Sequence, residues 1–419
     1  MKNRLASPLA TVKTGVASLA SSLLCILIGL VVGFILLVVL AWITMLQEGQ
    51  SFSFGELIDT VINNGLTPML HGGFYEKSNT MGMGVRTELL KTAPLILTGL
   101  SVAFAFKTGL FNIGAAGQYT VGAFGALMFA ILFQWPWWAC LIASAVFGAL
   151  WGAIPGVFKA YLNVNEVITS IMFNWIGLYG VNTIMYNKGT GAMFNSLKSK
   201  TYELSQKSPD SIIPTFNVKV DGEYYFNEMR EPSIAIFIAI AVAIVIWIII
   251  KKTTFGYELK ACGHNKDAAK YAGINEKKNI IYSMVIAGAL AGLGAGLYYL
   301  TGTKEWEPMQ STALPAEGFN GISVALLASS NPIGTIFSAL FISHITLGGT
   351  FMEAKLFPQE VADIVSGVVI YLCAFSILFK GAVMKLLSGK QKENVNAEVP
   401  VIAGLDDAPV EDDGKEGEA

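Results

Sequence analysis

The amino-acid sequence predicts an all-α polytopic membrane protein with about ten transmembrane helices. The first observation is composition, because 53% of the 419 residues are hydrophobic and only 14% are charged. An ordinary soluble protein has about 25% charged residues. The second observation is that windows of about 20 apolar residues recur along the chain, each long enough to cross a bilayer as a helix. The third is the distribution of lysine and arginine, which assigns the helix ends to two sides of one membrane.

The apolar windows define the predicted spans. In chain order they are 17–46, 90–110, 114–133, 137–158, 167–186, 233–250, 280–301, 317–330, 332–351 and 361–379. The first window is longer than the apolar core of a signal peptide and has no clear cleavage site after it, so we predict that it is retained.

Positive charge sets the predicted orientation. Lys2, Arg4 and Lys13 precede the first span, and the 251–279 loop carries seven lysines against three acidic residues. Both segments are therefore predicted to face the cytoplasm, and an even number of spans returns the C-terminus to the same side.

The predicted domain boundaries follow from these spans. Residues 1–16 form a cytoplasmic N-terminus, 17–379 a transmembrane domain, and 380–419 a cytoplasmic tail. The tail holds nine acidic residues from Gln391 onward with few large apolar ones, so we expect it to be disordered.

Two external segments, 47–89 and 187–232, interrupt the apolar pattern. The second contains FNVKVDGEYYF, in which alternating apolar residues flank Asp221 and Gly222, as in a β-hairpin. Such a hairpin either contacts a solute-delivery protein or caps the spans.

Motifs for enzymatic chemistry are missing from the sequence. It has no phosphate-binding loop and no H-E-x-x-H spacing, and its histidines are the widely separated His71, His264 and His344. The cysteines Cys25, Cys140, Cys262 and Cys373 form no C-x-x-C pair. We predict no catalytic residue, no metal site and no bound cofactor, and we interpret His344 as a packing residue rather than a proton relay.

The stretch GLFNIGAAGQYTVGAFGA, residues 109–126, is rich in glycine and carries two amides. Gln118 shares one helix face with small residues, and such faces allow close helix packing in lipid. Asn112 does not fit that face, which predicts a helix break, and a polar break at membrane depth indicates a solute passage. The positions predicted to pack helices closely are Gly114, Gly122, Gly125, Gly148, Gly152, Gly288 and Gly292.

A polar face is predicted in the fifth span, where Glu166, Ser170, Asn174 and Gly177 recur at helical spacing. These side chains either bind a polar solute or hydrogen-bond one another. Glu166 also fits a capping box with Asn163. Trp175 either stacks on an aromatic solute or packs against lipid or protein.

The stretch LPAEGFNGISVALLASSNPIG, residues 314–334, places glycine and proline around a short apolar run. Short interrupted spans of this kind are typical of transporter binding regions. Phe319 and Asn320 are the candidate lining residues here, although an ordinary loop-to-helix junction has the same pattern.

The cytoplasmic loop predicts a basic helix of about two turns between Gly263 and Gly273, with Asn265 as N-cap. A short exposed helix between two spans fits a groove on a partner protein, and a solvated linker is the alternative.

Together these motifs resemble one transporter family. GLFNIGAAGQ, NVNEVITSIMFNWI, FGYELKACGHNKDAAKYAGIN and GFNGISVALLASSNPIG, in this order, are similar to the permease subunits of bacterial ABC importers of the branched-chain amino acid and ribose permease superfamily. The likeness covers about residues 90–380. NVNEVITSIM, the external insert and GHNKDAAKYAGIN are most similar to nucleoside permeases that work with a basic membrane protein type lipoprotein receptor.

The resemblance implies an ABC importer permease fold in a bacterial cell membrane. It implies a second permease subunit, which we expect to be a different chain, together with cytoplasmic ATPase subunits that use the ATP and an external substrate-binding lipoprotein. The implied solute pathway uses Asn112, Gln118, Glu166, Ser170, Asn174, Trp175, Phe319 and Asn320. The implied ATPase coupling residues are Gly263, Asn265, Asp267, Ala268, Ala269, Ala272 and Gly273.

Several alternatives remain open at this point. Within the family, the solute is ribose or another sugar, or a branched-chain amino acid. Outside it, the chain is an autonomous secondary transporter, which would need more ionisable groups within the spans. A membrane-embedded enzyme would need a catalytic constellation that the sequence does not contain.

Overall fold

The chain forms a helical bundle. The structure, a computed structural model, describes residues 8–49, 51–74, 81–186, 192–216, 219–220, 223–224, 233–307, 313–358 and 360–374. In this part of the chain the α-helices are α1 (Pro8–Gln47), α2 (Phe54–Val61), α3 (Thr67–His71), α4 (Met81–Lys107), α5 (Ala115–Phe133), α6 (Trp137–Leu162), α7 (Glu166–Tyr186), α8 (Leu204–Lys207), α9 (Ala235–Lys252), α10 (Thr254–His264), α11 (Lys266–Tyr271), α12 (Glu276–Tyr299), α13 (Ala316–Leu327), α14 (Gly334–Gly349) and α15 (Glu360–Ala374).

Each predicted span corresponds to one of these helices. Among the described residues, seven helices are long and apolar enough to cross a membrane: α1, α4, α5, α6, α7, α9 and α12. The helices α13, α14 and α15 are shorter. The helix α1 begins at Pro8, inside the segment predicted as an N-terminal extension. The predicted end of the last span and the acidic tail lie outside the described residues.

The centre of the bundle is packed through small residues. The helix α12 lies against α4, α5 and α6. Gly292 meets Gly122 of α5, and Gly288 meets Gly148 and Gly152 of α6, so closely that a Cβ at any of these glycines would overlap backbone atoms. The Ser144 hydroxyl of α6 lies 3.0 Å from the Gly122 carbonyl oxygen and also contacts the Gly292 carbonyl oxygen, so the two carbonyls share its one proton. These contacts hold three helices together without large side chains between them.

The short helices α13 and α14 follow one another and are separated by a non-helical turn. The helix α13 has only 12 residues, and the turn after it places Ser329 and Ser330 in the left-handed region, with φ 50° and 54°. Gly321 of α13 lies against Thr98 of α4. The predicted short eighth span is therefore confirmed as a half-length helix packed on α4.

The described part of the 187–232 insert packs against one end of the bundle. The strands β1 (Phe194–Asn195) and β2 (Lys200–Thr201) form one antiparallel pair, and β3 (Lys219–Val220) and β4 (Glu223–Tyr224) form another. The predicted hairpin around residues 221–222 is confirmed in its pairing, although the turn itself lies outside the described residues. The Thr201 amide donates to the carbonyl of the buried Trp306 at 2.9 Å. The insert is thereby tied to the segment that follows α12.

The cysteines have no role in cross-linking within the described part of the chain. Cys25, Cys140 and Cys262 are buried and form no disulfide with one another. Such burial is typical of cysteines that act as small packing residues.

Candidate functional site

The predicted helix break between α4 and α5 is confirmed. After Lys107 the chain turns at Gly109, whose φ of 70° favours glycine. The Leu110 amide donates to the Ala105 carbonyl and the Gly109 amide to the Phe106 carbonyl, both at 3.1 Å. This is a Schellman motif, which satisfies carbonyls at the end of α4 before α5 begins at Ala115.

Both amide side chains of the break are turned inward. Asn112 donates to the Gln118 side-chain oxygen at 2.8 Å, and Gln118 donates to the Asn112 side-chain oxygen at 3.0 Å. Asn112 also donates to the Ser101 hydroxyl at 2.9 Å. Asn112 is fully buried and Gln118 is 1% exposed. In this conformation the two amide side chains stabilise the non-helical segment between α4 and α5 and do not face open space.

The predicted polar face of α7 lies against the start of α5. The Asn174 side-chain oxygen accepts from the Gly117 amide at 2.8 Å, and its nitrogen donates to the Ile113 carbonyl at 3.0 Å. A Cβ at Gly114 would lie 3.1 Å from the Ser170 hydroxyl oxygen. That hydroxyl is buried and has no hydrogen-bond partner among the described residues. The polar face therefore lies in the contact between α7 and α5. There the Asn174 side chain hydrogen-bonds the Gly117 amide and the Ile113 carbonyl, which lack helical partners at the break.

The capping box predicted for Glu166 is wrong. Asn163 is the left-handed C-cap of α6, with φ 51°, and Asn165 accepts from the Val167 amide at 2.8 Å as the N-cap of α7. Two helix ends separated by a three-residue linker each need a cap, so each asparagine takes one of them. Glu166 instead forms an ion pair with Lys159 of α6 at 2.9 Å.

The predicted aromatic candidates lie at the surface of the bundle. Trp175 is 40% exposed and stacks on Tyr179, with ring centroids 5.8 Å apart. These two rings border a shallow groove of about 560 Å³ along the outer face of α7. Phe319 is 39% exposed on α13, next to the half-buried Asn320.

The helices that carry these aromatics flank α5. Asn174 of α7 packs on Gly117, and Gly318 of α13 packs on the preceding residue, Ala116. Adjacent helix positions point about 100° apart, so α7 and α13 stand on neighbouring sides of α5. The fold thus brings the predicted lining residues of two distant sequence segments to the two sides of one helix.

The helix predicted between Gly263 and Gly273 is confirmed as α11. The Asn265 side chain caps it by accepting from the Ala268 amide at 3.0 Å, and Gly273 follows it with φ 80°. Ala268 is exposed, whereas Ala269 is 3% exposed and faces the protein. The sequence reasoning did not predict α10, whose Thr253 N-cap accepts from the Gly256 amide at 3.1 Å. It also passed over Tyr271, which is 94% exposed.

The segment that carries α10 and α11 contacts the helix break directly. A Cβ at Gly263, at the end of α10, would overlap the Lys107 carbonyl and lie 2.9 Å from the Gly109 amide nitrogen. A Cβ at Gly109 would lie 3.1 Å from the Gly263 carbonyl oxygen. At this contact no side chain separates the backbone of α10 from the segment that precedes Asn112.

A hydrogen-bonded histidine–carboxyl pair lies elsewhere in the bundle. The Nδ1 atom of His344 lies 2.9 Å from Oε1 of Glu88, and its Nε2 atom lies 2.8 Å from the Leu70 carbonyl. Glu88 is 4% exposed, and its Oε2 accepts from the Gly73 amide at 3.0 Å. Sequence reasoning missed Glu88, because the predicted second span began at residue 90 and the partner histidine is 256 positions away.

Relatives of this chain are found among transporter subunits. Residues 85–374 match the family described as branched-chain amino acid transport system / permease component. The guanosine ABC transporter permease protein NupP of Bacillus subtilis (strain 168) is 36% identical over 72% of this chain and 84% of NupP. The nucleoside ABC transporter permease protein NupB of Lactococcus lactis subsp. cremoris (strain MG1363) is 38% identical over 73% of this chain and 83% of NupB. The glucose ABC transporter permease protein TsgB13 of Haloferax volcanii is 27% identical over 74% of this chain and 81% of TsgB13.

Proposed function

Because the chain belongs to the branched-chain amino acid transport system / permease component family, we propose that it is the membrane-spanning subunit of an ATP-driven importer of nucleosides. The observation that carries the nucleoside assignment is the identity of 36% and 38% to two permeases whose names specify guanosine and nucleoside. The permease named for glucose is less similar, at 27% identity. A sugar is therefore the second candidate solute.

The exposed aromatic side chains supply the chemistry that a nucleoside needs. A nucleobase has an apolar face that stacks on aromatic rings, and base–aromatic stacking contributes about 1–3 kcal/mol. Trp175 with Tyr179 on α7, and Phe319 on α13, are available for such stacking because they are more than a third exposed. Asn320 offers an amide beside Phe319 for hydrogen bonds to the base or ribose.

The buried polar residues have a supporting role in this proposal. Asn112, Gln118 and Asn174 shape the break at the start of α5, and that break sets the spacing of α7 and α13. Ser170 and Glu166 continue the same face of α7 toward its cytoplasmic end. We assign the solute contacts to the exposed aromatics and the positioning to the buried amides.

Energy would come from a separate ATPase, because the sequence contains no phosphate-binding loop of its own. In this proposal α11 inserts into a groove on the ATPase, with Asp267, Ala268 and Tyr271 on its exposed surface. Gly263 then transmits the movement to Gly109 and the α4–α5 break.

The remaining partners complete the importer. A second permease subunit, which we propose is a different chain, would close the pathway opposite α7 and α13. An external lipoprotein would deliver the solute to the side that carries the insert. We propose that the 251–279 segment and both chain termini lie in the cytoplasm, and the seven lysines of that segment support this orientation.

Reconstitution tests this proposal. The chain is coexpressed with a second permease, an ATPase and a receptor lipoprotein from the same genome, and ATP-dependent uptake of labelled guanosine and glucose is measured in liposomes. We expect guanosine uptake, and we expect Trp175→Ala to reduce it about fivefold or more, since stacking contributes about 1–3 kcal/mol per base. Trp138→Ala is the matched control, because Trp138 is 55% exposed on α6 but does not border the α7 groove.

Two results would contradict the proposal. Uptake of glucose without guanosine would assign the chain to sugar transport. Concentrative uptake by this chain alone, without an ATPase, would make it a secondary transporter.

A further inference from the structure

Three lysines from three helices meet at the cytoplasmic end of the bundle. Lys107 ends α4, Lys251 lies in the last turn of α9, and Lys260 lies in α10. Lys107 is close enough to the other two for their charges to repel it. None of the three forms an ion pair with a carboxylate among the described residues.

Backbone contacts hold these lysines in place. Gly263, one helical turn after Lys260, packs on the Lys107 carbonyl, which brings that face of α10 to the end of α4. Gly256, at the start of α10, packs on the carbonyls of Ile249 and Ile250 at the end of α9. The fold therefore fixes the backbone positions of these three lysines relative to one another.

The acidic groups of this region are directed elsewhere. Glu258 is the carboxylate of α10, but it lies about 200° from Lys260 around the helix and accepts from Asn279 of α12 at 3.2 Å. The C-terminal ends of α4 and α9 contribute only about half a negative charge each. Lys107 is half-buried, so its charge is less screened by water than the charges of exposed lysines. The cluster is left with an excess of positive charge.

The surroundings of the cluster match the inner surface of a membrane. The Lys251 ammonium lies 5.7 Å from the ring centre of Trp247, and tryptophan is enriched at the membrane–water boundary. Ile244 and Ile248, 44% and 43% exposed, continue the outer surface of α9 away from Lys251. The phosphate of a phospholipid could bind the lysine ammonium groups here while its acyl chains pack against the apolar surface of α9.

We propose that Lys107, Lys251 and Lys260 form a binding site for the phosphate of an anionic phospholipid headgroup in the cytoplasmic leaflet. Basic pockets between helices on this side of a membrane bind anionic headgroups. The site goes beyond the proposed transport function. It depends on the cytoplasmic orientation of α10 but not on which solute is carried.

Native mass spectrometry of the full chain tests the site. The protein is purified in detergent, stripped of lipid and titrated with phosphatidylglycerol or phosphatidylcholine. We expect wild type to retain phosphatidylglycerol in preference to phosphatidylcholine. The triple variant Lys107→Gln, Lys251→Gln, Lys260→Gln should lose this preference. Each lysine removed should lower the affinity for phosphatidylglycerol about fivefold.

Matched variants separate the site from general charge. The triple variant Lys266→Gln, Lys277→Gln, Lys278→Gln removes the same charge from the same side of the membrane and should keep the preference. The triple variant Lys107→Arg, Lys251→Arg, Lys260→Arg should keep the preference as well, which would show that these positions tolerate substitution without loss of folding.

Each other outcome overturns the proposal. Equal lipid retention by the wild type and the glutamine triple variant would remove the site. An equal loss in both triple variants would assign the effect to net charge. Displacement of the lipid by millimolar inorganic phosphate would indicate a free-anion site. Loss of ATPase copurification with lipid retention unchanged would indicate that the lysines contact the ATPase.

Discussion

Asn112 and Gln118 are hydrogen bonded to each other in both directions, at 2.8 and 3.0 Å, across the break between α4 and α5. Residues 108–114, between α4 and α5, are not helical. Polar groups that are buried in the bundle must find partners inside the protein, since lipid offers none. The reciprocal amide pair satisfies this requirement with two side chains six positions apart.

Replacing Asn112 with leucine should destabilise the protein. It leaves the Gln118 amide and the Ser101 hydroxyl without their partner, at a cost of about 1–3 kcal/mol for each buried group left unsatisfied. We expect a lower melting temperature in detergent, with Gln47→Leu at an exposed position as control. The double variant Asn112→Leu, Gln118→Leu should recover part of the loss, and an unchanged melting temperature in the single variant would refute this role.

Replacing Gly263 with alanine should weaken the coupling of ATP hydrolysis to uptake. The methyl group would overlap the Lys107 carbonyl, so α10 must shift away from the break. In the reconstituted importer we expect fewer solute molecules transported per ATP hydrolysed. Gly367→Ala on α15 is the control, because no atom lies within 4 Å of its Cβ position. Unchanged coupling in the Gly263 variant would show that this contact transmits no movement.

The helices could be predicted from the sequence because their signals are local. An apolar run long enough to span the bilayer identifies a helix without knowledge of its neighbours. The small-residue faces around Gly122 and Gly292 were predicted in the same way, since helical spacing alone puts small residues on one side. The N-cap at Asn265 depends on only three following residues and was also predicted.

Features that depend on distant parts of the chain could not be predicted. Glu88 and His344 are 256 positions apart, and nothing near either residue indicates the other. The inward direction of Asn112 depends on how the break folds back onto α5. The helix α10 was missed because its polar residues and Gly256 resemble a loop, whereas its stability comes from contacts with α9 and α4.

The exposure of α11 predicts different effects for its two adjacent alanines. Ala268→Arg adds charge and bulk to the exposed surface and should abolish ATPase copurification without lowering the melting temperature. Ala269→Arg would bury an unpaired charge and should reduce the yield of folded protein instead.

Tyr271→Ala should weaken ATPase binding, because tyrosine is enriched among the hot-spot residues of protein interfaces. Copurification yield and size-exclusion profiles distinguish these outcomes, and normal ATPase binding by the Ala268 and Tyr271 variants would exclude α11 as the docking helix.

The Glu88–His344 pair predicts a strong coupling between two distant helices. Both His344 nitrogens face acceptor atoms, so both contacts are made only when each nitrogen shares or carries a proton. His344→Ala leaves the buried Glu88 side chain without its hydrogen-bond partner, which costs about 1–3 kcal/mol. Glu88→Gln keeps the shape but loses the charge and should cost less than His344→Ala.

A double-mutant cycle measures this coupling. The variant Glu88→Gln, His344→Ala removes the charge together with its partner and should be more stable than His344→Ala alone. Melting temperatures of the four proteins in detergent give the interaction energy. His71→Ala is the control, because His71 is exposed at the end of α3. If the two single effects simply add, the pair contributes no coupling and the segment at Leu70 and Gly73 is held to α4 and α14 by its other contacts.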